Sequence, residues 1–212
     1  MLYEQYSKKA LAGLAALGLS LALSLPGQVQ AQGADLAGVS YPTTINVEGV
    51  PLVLNGSGIS YRAVAKVYTV GLYVPKKTDK APQILAQTGP KQLRFVMLQG
   101  MRIDELGRLI TSGIENNSSR DEFYRMIPAI RVMGEQFAHI KRMAPGDTFS
   151  IEWVPKRGSV FVVNGQPVGL PIEDPGFFVA VLRVWLGNKP NSPGLKDALL
   201  DYHAPSVLNA LD

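Results

Sequence analysis

The stretch at residues 54–75, LNGSGISYRAVAKVYTVGLYVP, constrains the fold more than any other part of the chain. It begins with Asn55-Gly56-Ser57-Gly58, residue types that adopt positive φ angles, and this predicts a tight hairpin turn. The Val, Tyr and Thr residues that follow favour extended chain. The sequence therefore predicts one long strand over residues 59–74, entered through a glycine-rich turn.

Only two charged residues, Arg62 and Lys66, interrupt this apolar stretch. Successive side chains of a strand point to opposite faces, so Ser60, Arg62 and Tyr68 would share one face and Thr69 would lie on the other. A guanidinium on a mostly buried strand is a candidate for binding an acidic ligand. An ion pair at the edge of the sheet explains Arg62 equally well, and the sequence leaves both interpretations open.

Residues 1–31 have the pattern of a cleaved secretory signal peptide. Lys8 and Lys9 precede an apolar run at residues 10–25, and Val29-Gln30-Ala31 supplies small residues where signal peptidase cleaves. The run is shorter than the ~20 residues that a membrane-spanning helix needs. We therefore expect cleavage after Ala31, release into the periplasm and no transmembrane segment in the processed chain.

Residues 32–212 have a length suited to a single domain with one core. The net charge of +4 is mild, and the absence of long Lys and Arg runs argues against a nucleic-acid partner. With no Cys and only two His, His139 and His203, we expect no metal site. No nucleophile elbow, HExxH or phosphate-binding loop is present, so no cofactor is predicted.

Hydrophobic periodicity predicts a run of strands, a block of helices, a second run of strands and two further helices. Residues 32–44 form a polar lead-in. Pro128 falls inside one helix and predicts either a kink or a split, and Met126 and Met133 on the same helix suit either core packing or an adaptable apolar pocket. The remaining predicted elements are a short hairpin around Glu48-Gly49 in residues 45–52, strands at 91–99, 148–154, 159–163 and 166–170, with Asn164-Gly165 as the turn between the last two, and helices at 81–87, 103–117, 119–140, 175–187 and 195–200. This order indicates an α+β fold, with a largely antiparallel sheet, helices on one face and a ligand cleft between the two layers.

Four segments in this order resemble the chalcone isomerase-like superfamily, and its exported bacterial branch in particular. They are the stretch at 54–75, GDTFSIEWVP, VFVVNGQPVG and DPGFFVAVLRVWLG. The resemblance runs from about Val47 to Leu200. It implies an open-faced β-sandwich, in which a layer of helices covers one face of a large antiparallel sheet.

The resemblance also implies where a site would lie. In the plant enzymes, an Arg after the Gly-x-Gly segment stabilises charge that develops on the substrate. That position is Ser60 here, and Arg62 lies ~7 Å further along a strand. Such a displacement would prevent a chemical step that needs precise placement of the Arg. It would still allow carboxylate binding, because the guanidinium is carried on a long, flexible side chain. The family's hydroxyl-bearing Thr falls at Tyr68 or Thr69.

Three functions follow as hypotheses. The favoured one is non-catalytic binding of a small amphipathic or acidic molecule, such as a fatty acid, in the cleft. Its expected binding residues are Arg62, Ser60, Tyr68 and Thr69. The second is a chalcone-flavanone type isomerase, and the third is a protein-interaction module whose cleft is filled.

Overall fold

A computed structural model describes residues 34–201. The expected signal peptide at residues 1–31 lies outside the described residues, so its cleavage stays a prediction. The strands are β1 (Ala34–Leu36), β2 (Val39–Tyr41), β3 (Thr44–Val47), β4 (Val50–Arg62), β5 (Ala65–Val74), β6 (Lys91–Met97), β7 (Met101–Arg102), β8 (Arg142–Met143), β9 (Thr148–Val154), β10 (Gly158–Val163) and β11 (Gln166–Ile172). The helices are α1 (Ala81–Ala86), α2 (Ile103–Asn116), α3 (Arg120–Ala138), α4 (Pro175–Leu186) and α5 (Pro193–Leu199).

Seven strands form one antiparallel sheet in the order β11-β10-β9-β6-β5-β4-β3. The predicted α+β class and the antiparallel sheet with helices are confirmed. β6 joins the two halves of the sheet, since it pairs with β5 on one side and β9 on the other. Its side chains are largely buried on both faces, which agrees with the incomplete alternation of apolar and polar residues in this segment.

The central stretch differs from its prediction in two ways. β4 runs straight through Asn55-Gly56-Ser57-Gly58, so the predicted tight turn there is wrong. The predicted single strand at residues 59–74 is wrong as well, because a hairpin turn at Ala63-Val64 divides it into β4 and β5. Ala63 adopts a positive φ of 52° although its residue type gives no turn signal.

Packing of α5 explains why the glycines belong to a strand. The register between β4 and β5 shifts at Asn55, whose side chain donates a hydrogen bond to the carbonyl oxygen of Leu199 at 2.8 Å. A Cβ atom on Gly56 would lie 2.2 Å from the carbonyl oxygen of Ala198, and one on Gly58 would lie 2.7 Å from a methyl carbon of Leu195. The glycines therefore permit close approach of a helix rather than reversal of the chain.

The starts of α3 and α4 follow the capping chemistry of the sequence. Ser119 forms a capping box with Glu122 at the start of α3, and the Asp174 carboxylate caps α4 ahead of Pro175. α3 continues through Pro128 as one helix, so the predicted alternative of a split is not observed.

The sheet has a hydrophobic cluster on each face. The larger cluster fills the space between the sheet and the helices, and Tyr68, Phe95, Phe149, Phe161 and Trp185 belong to it. The smaller cluster lies on the opposite face, where Tyr41 of the β1–β2 hairpin packs near Leu52 and Tyr73. The polar lead-in predicted at residues 32–44 is thus partly a structured hairpin that covers the second face.

Candidate functional site

The structure brings Ser60 and Tyr68 together on facing strands, where they form a direct cross-strand pair. The Tyr68 side chain is fully buried, and its hydroxyl accepts a hydrogen bond from Trp185 Nε1 at 3.3 Å. Burial raises the pKa of Tyr68, and hydrogen bonds with Ser60 and Trp185 partly oppose that rise. Phe95 packs against both rings, with centroid separations of 5.5 Å to Tyr68 and 5.2 Å to Trp185. The expected cleft between sheet and helices is therefore closed by side chains at this point.

Arg62 and Thr69 lie away from that pair. The Arg62 guanidinium donates to the Glu105 carboxylate of α2 at 3.1 Å, and its side chain is 71 % exposed. Thr69 is buried on the opposite face of the sheet, and its hydroxyl lies 2.8 Å from that of Tyr41. The four residues predicted to bind a ligand therefore lie in three separate places, which are the packed interior, the exposed end of the sheet and the smaller hydrophobic cluster on the opposite face. Their role in binding stays a prediction.

A groove of about 850 Å³ lies between α2 and α3. We call it the interhelical groove. Its floor is apolar and consists of Ile103, Ile130, Met133, Phe137 and Ile140. Met133 is buried in the core and also lines this groove, and its use by a ligand stays a prediction.

Two glycines set the width of the interhelical groove. Gly107 of α2 and Gly134 of α3 both line it. A Cβ atom on Gly134 would meet nothing within 4 Å, and one on Gly107 would only touch the Phe137 ring at 3.4 Å. A helix-interior glycine costs about 1 kcal/mol relative to alanine, so each glycine keeps space open at some expense of stability.

One end of the interhelical groove is strongly cationic. The charged residues that line this end are Arg102, Asp104, Arg108, Lys141 and Arg142. The only carboxylate among them accepts hydrogen bonds from both Arg102 and Arg108, and these bonds lower the pKa of Asp104 to about 2. The carboxylate therefore stays ionised at neutral pH and still leaves an excess of positive charge.

The two arginines on β7 and β8 sit directly opposite one another in the strand register. Arg102 pairs with Arg142, and like charges in that position repel. Arg102 is neutralised by Asp104 at 2.9 Å, whereas the Arg142 guanidinium has a carbonyl oxygen of Gly100 at 3.4 Å as its hydrogen-bond partner. Within residues 34–201, no carboxylate forms an ion pair with Arg142. A bound anion would relieve this repulsion.

Sequence reasoning missed the interhelical groove. The apolar faces of both helices are visible in the sequence, and so is the Lys141-Arg142 pair, but the register that sets Arg142 against Arg102 joins residues forty positions apart. In residues 34–201 no group of three or more His, Asp or Glu residues is arranged to hold a metal ion. Over the same range, no helix has both the length and the apolar character that crossing a membrane requires.

Comparison with known proteins identifies the class. The chain matches the chalcone isomerase-like family over residues 33–201 and belongs to it. Among solved structures, a fatty-acid binding protein of Arabidopsis thaliana has the same fold, with a TM-score of 0.59 and 15 % sequence identity. The match covers 77 % of this chain and 92 % of that protein. No curated protein sequence matches this chain.

Proposed function

We propose that this protein is a non-catalytic periplasmic carrier of a small amphipathic anion, such as a fatty acid. The apolar part of the ligand lies on the floor of the interhelical groove, and its acidic group lies at the cationic end. The signal-peptide pattern of residues 1–31 supports export, and the name of the Arabidopsis protein supports this ligand class.

The observation that carries the proposal is the apolar floor ending at an unneutralised arginine. Buried apolar surface and a charge-assisted hydrogen bond are the two interactions that an amphipathic anion needs. Along α2 the lining extends from Ile103 to Ser112, which is ~14 Å at the helical rise. That length accommodates an alkyl chain lying between the helices.

The same geometry argues against a chalcone-type isomerisation. Ser60 stands where the family's catalytic Arg is expected, and the space beside it holds the Tyr68 and Trp185 rings. A substrate would have to displace a buried aromatic cluster to reach that position. Carriage of a ligand between the helices requires no such rearrangement.

Filling the groove tests this function directly. Gly134→Leu places a side chain in open space and improves helix propensity by roughly 0.5–1 kcal/mol. We expect it to fold at least as well as the wild type and to lose binding of a C12 fatty acid in calorimetric titration. Gly134→Ala is the matched control and retains most of the affinity. Binding by Gly134→Leu at wild-type affinity would contradict the proposal.

Charge variants locate the acidic group of the ligand. Arg142→Ala is expected to weaken fatty-acid binding about tenfold, because it removes one charge-assisted hydrogen bond. Arg131→Ala is the control, since that guanidinium pairs with Glu135 on α3 and does not line the interhelical groove. Arg62→Ala separates the two candidate sites. If Arg62→Ala weakened fatty-acid binding and Arg142→Ala did not, the ligand would bind at Arg62 on β4 and not in the interhelical groove.

A further inference from the structure

The turn between β4 and β5 projects an unusual set of side chains into solvent. We call residues 61–66, Tyr61-Arg62-Ala63-Val64-Ala65-Lys66, the hairpin tip. Val64 is 95 % exposed and Tyr61 is 54 % exposed. An isolated exposed valine is ordinary, but here a valine and a tyrosine share one protruding turn with two cations.

The hairpin tip and the cationic end of the interhelical groove lie at the same end of the molecule. The Arg62–Glu105 ion pair joins the tip to the first turn of α2, next to Asp104 and the arginines that bond it. The cations at this end are Arg62, Lys66, Arg102, Arg108, Lys141 and Arg142.

The carboxylates placed at this end do not cancel those charges. Glu105 is paired with Arg62, and Asp104 is shared by two arginines. Asp147, in the loop before β9, accepts hydrogen bonds from the Ala144 backbone and the Asn164 side chain. The surface therefore keeps a net positive charge around the exposed Val64 and Tyr61.

We propose that the hairpin tip docks onto the surface of an anionic phospholipid bilayer. A partly apolar turn among basic residues matches the headgroup region, where aromatic and aliphatic side chains enter the interface and Lys and Arg contact acidic lipids. A narrow turn lacks the ~800 Å² per partner of a standard protein interface. Charge complementarity and this shape favour a membrane over a second protein.

This docking would place the cationic end of the interhelical groove beside the lipid headgroups. It goes beyond ligand carriage and is measured without any ligand, so the two proposals fail independently. If the protein bound vesicles but no fatty acid, membrane docking would stand and the carrier function would be refuted.

The test is vesicle co-sedimentation of the protein as isolated, with its N-terminus defined by mass spectrometry. We expect binding to vesicles containing phosphatidylglycerol, little binding to pure phosphatidylcholine, and loss of binding at high salt. Val64→Asp is expected to reduce binding about tenfold, since it replaces an inserted methyl pair by a charge of the wrong sign. Lys66→Ala is expected to reduce vesicle binding about fivefold, which is the contribution of one basic residue close to an anionic membrane surface.

Val50→Asp is the matched control. Val50 is also an exposed valine of β4 but lies at the opposite end of that strand, so its variant should bind like the wild type. Equal vesicle binding by Val64→Asp and the wild type would overturn the inference. Failure of the wild type to bind anionic vesicles at low salt would also overturn it. A dimer in sedimentation velocity that Val64→Asp dissociates would also overturn it, by assigning the tip to a second copy.

Discussion

Lys91 is a cation placed almost completely inside the protein. Its ammonium group donates to the carbonyl oxygens of Gln87 and Gly89 and lies 5.9 Å from the centre of the Phe178 ring. Burial lowers the pKa of Lys91 from its ordinary 10.5 to about 8. The folded state therefore holds this proton less tightly than the unfolded chain does.

This pKa shift predicts a pH dependence of stability. Between pH 8 and 10 the unfolded chain binds more protons at Lys91 than the folded chain, so the free energy of unfolding rises with pH. We expect the wild type to gain about 2 kcal/mol relative to Lys91→Met between pH 7.5 and 10. Urea denaturation of both proteins at several pH values measures this difference. Parallel pH profiles would show that Lys91 titrates normally.

At the scale of elements, the backbone of α5 packs directly against the backbone of β4. β4 presents Gly56 and Gly58 to this helix, and the side chain of Asn55 bonds both to the Leu199 carbonyl oxygen and to the Thr78 backbone N–H. Gly56 faces backbone atoms of α5 and not flexible side chains. A larger residue at position 56 would therefore have to displace the backbone of α5 itself.

Gly58→Ala is expected to lower the free energy of unfolding by about 1–3 kcal/mol, since the added Cβ would overlap Leu195 and Ala198. Gly56→Ala should cost more, because its neighbours are carbonyl groups of α5. Gly194→Ala is the control on α5 itself, where a Cβ meets nothing within 4 Å. Chemical denaturation compares the three variants. Wild-type stability for Gly58→Ala would mean that α5 lies further from β4 than the distances above indicate.

For the molecule as a whole, the sheet is covered on both faces, although unequally. Helices cover one face, and the β1–β2 hairpin contributes Tyr41 to the other. The Tyr41 hydroxyl lies within hydrogen-bond distance of Thr69, and Tyr73 donates to the Pro42 carbonyl oxygen at 3.0 Å. The N-terminal hairpin is thereby joined to β5 by two tyrosines.

Tyr41→Ala is expected to destabilise the protein by about 3–5 kcal/mol, because it removes a fully buried ring from the second core. Tyr41→Phe keeps the ring and should cost only about 1 kcal/mol for the lost hydrogen bond. Thermal unfolding by circular dichroism separates the two effects. Similar losses in both variants would show that the hydroxyl, and not the packed ring, holds the hairpin in place.

Local chemistry controls one part of the fold, and this part can be predicted from the sequence. Hydrophobic alternation marks most of the strands, and the side chains of Ser119 and Asp174 cap the starts of α3 and α4. The Asn164-Gly165 turn fixed the β10–β11 hairpin, because both residues adopt the positive φ angles that such a turn needs. These features depend on residues close together in the chain.

Other features depend on residues that lie far apart in the chain, and local patterns do not predict them. The residue types at Gly56 and Gly58 predict a turn, because the sequence does not show that α5, more than a hundred residues later, packs against them. The interhelical groove likewise depends on pairing between β7 and β8, and the exposure of Arg62 depends on a turn at Ala63 without turn residues. Close approach of backbones and the register of distant strands are properties of the packed chain, and no local pattern records them.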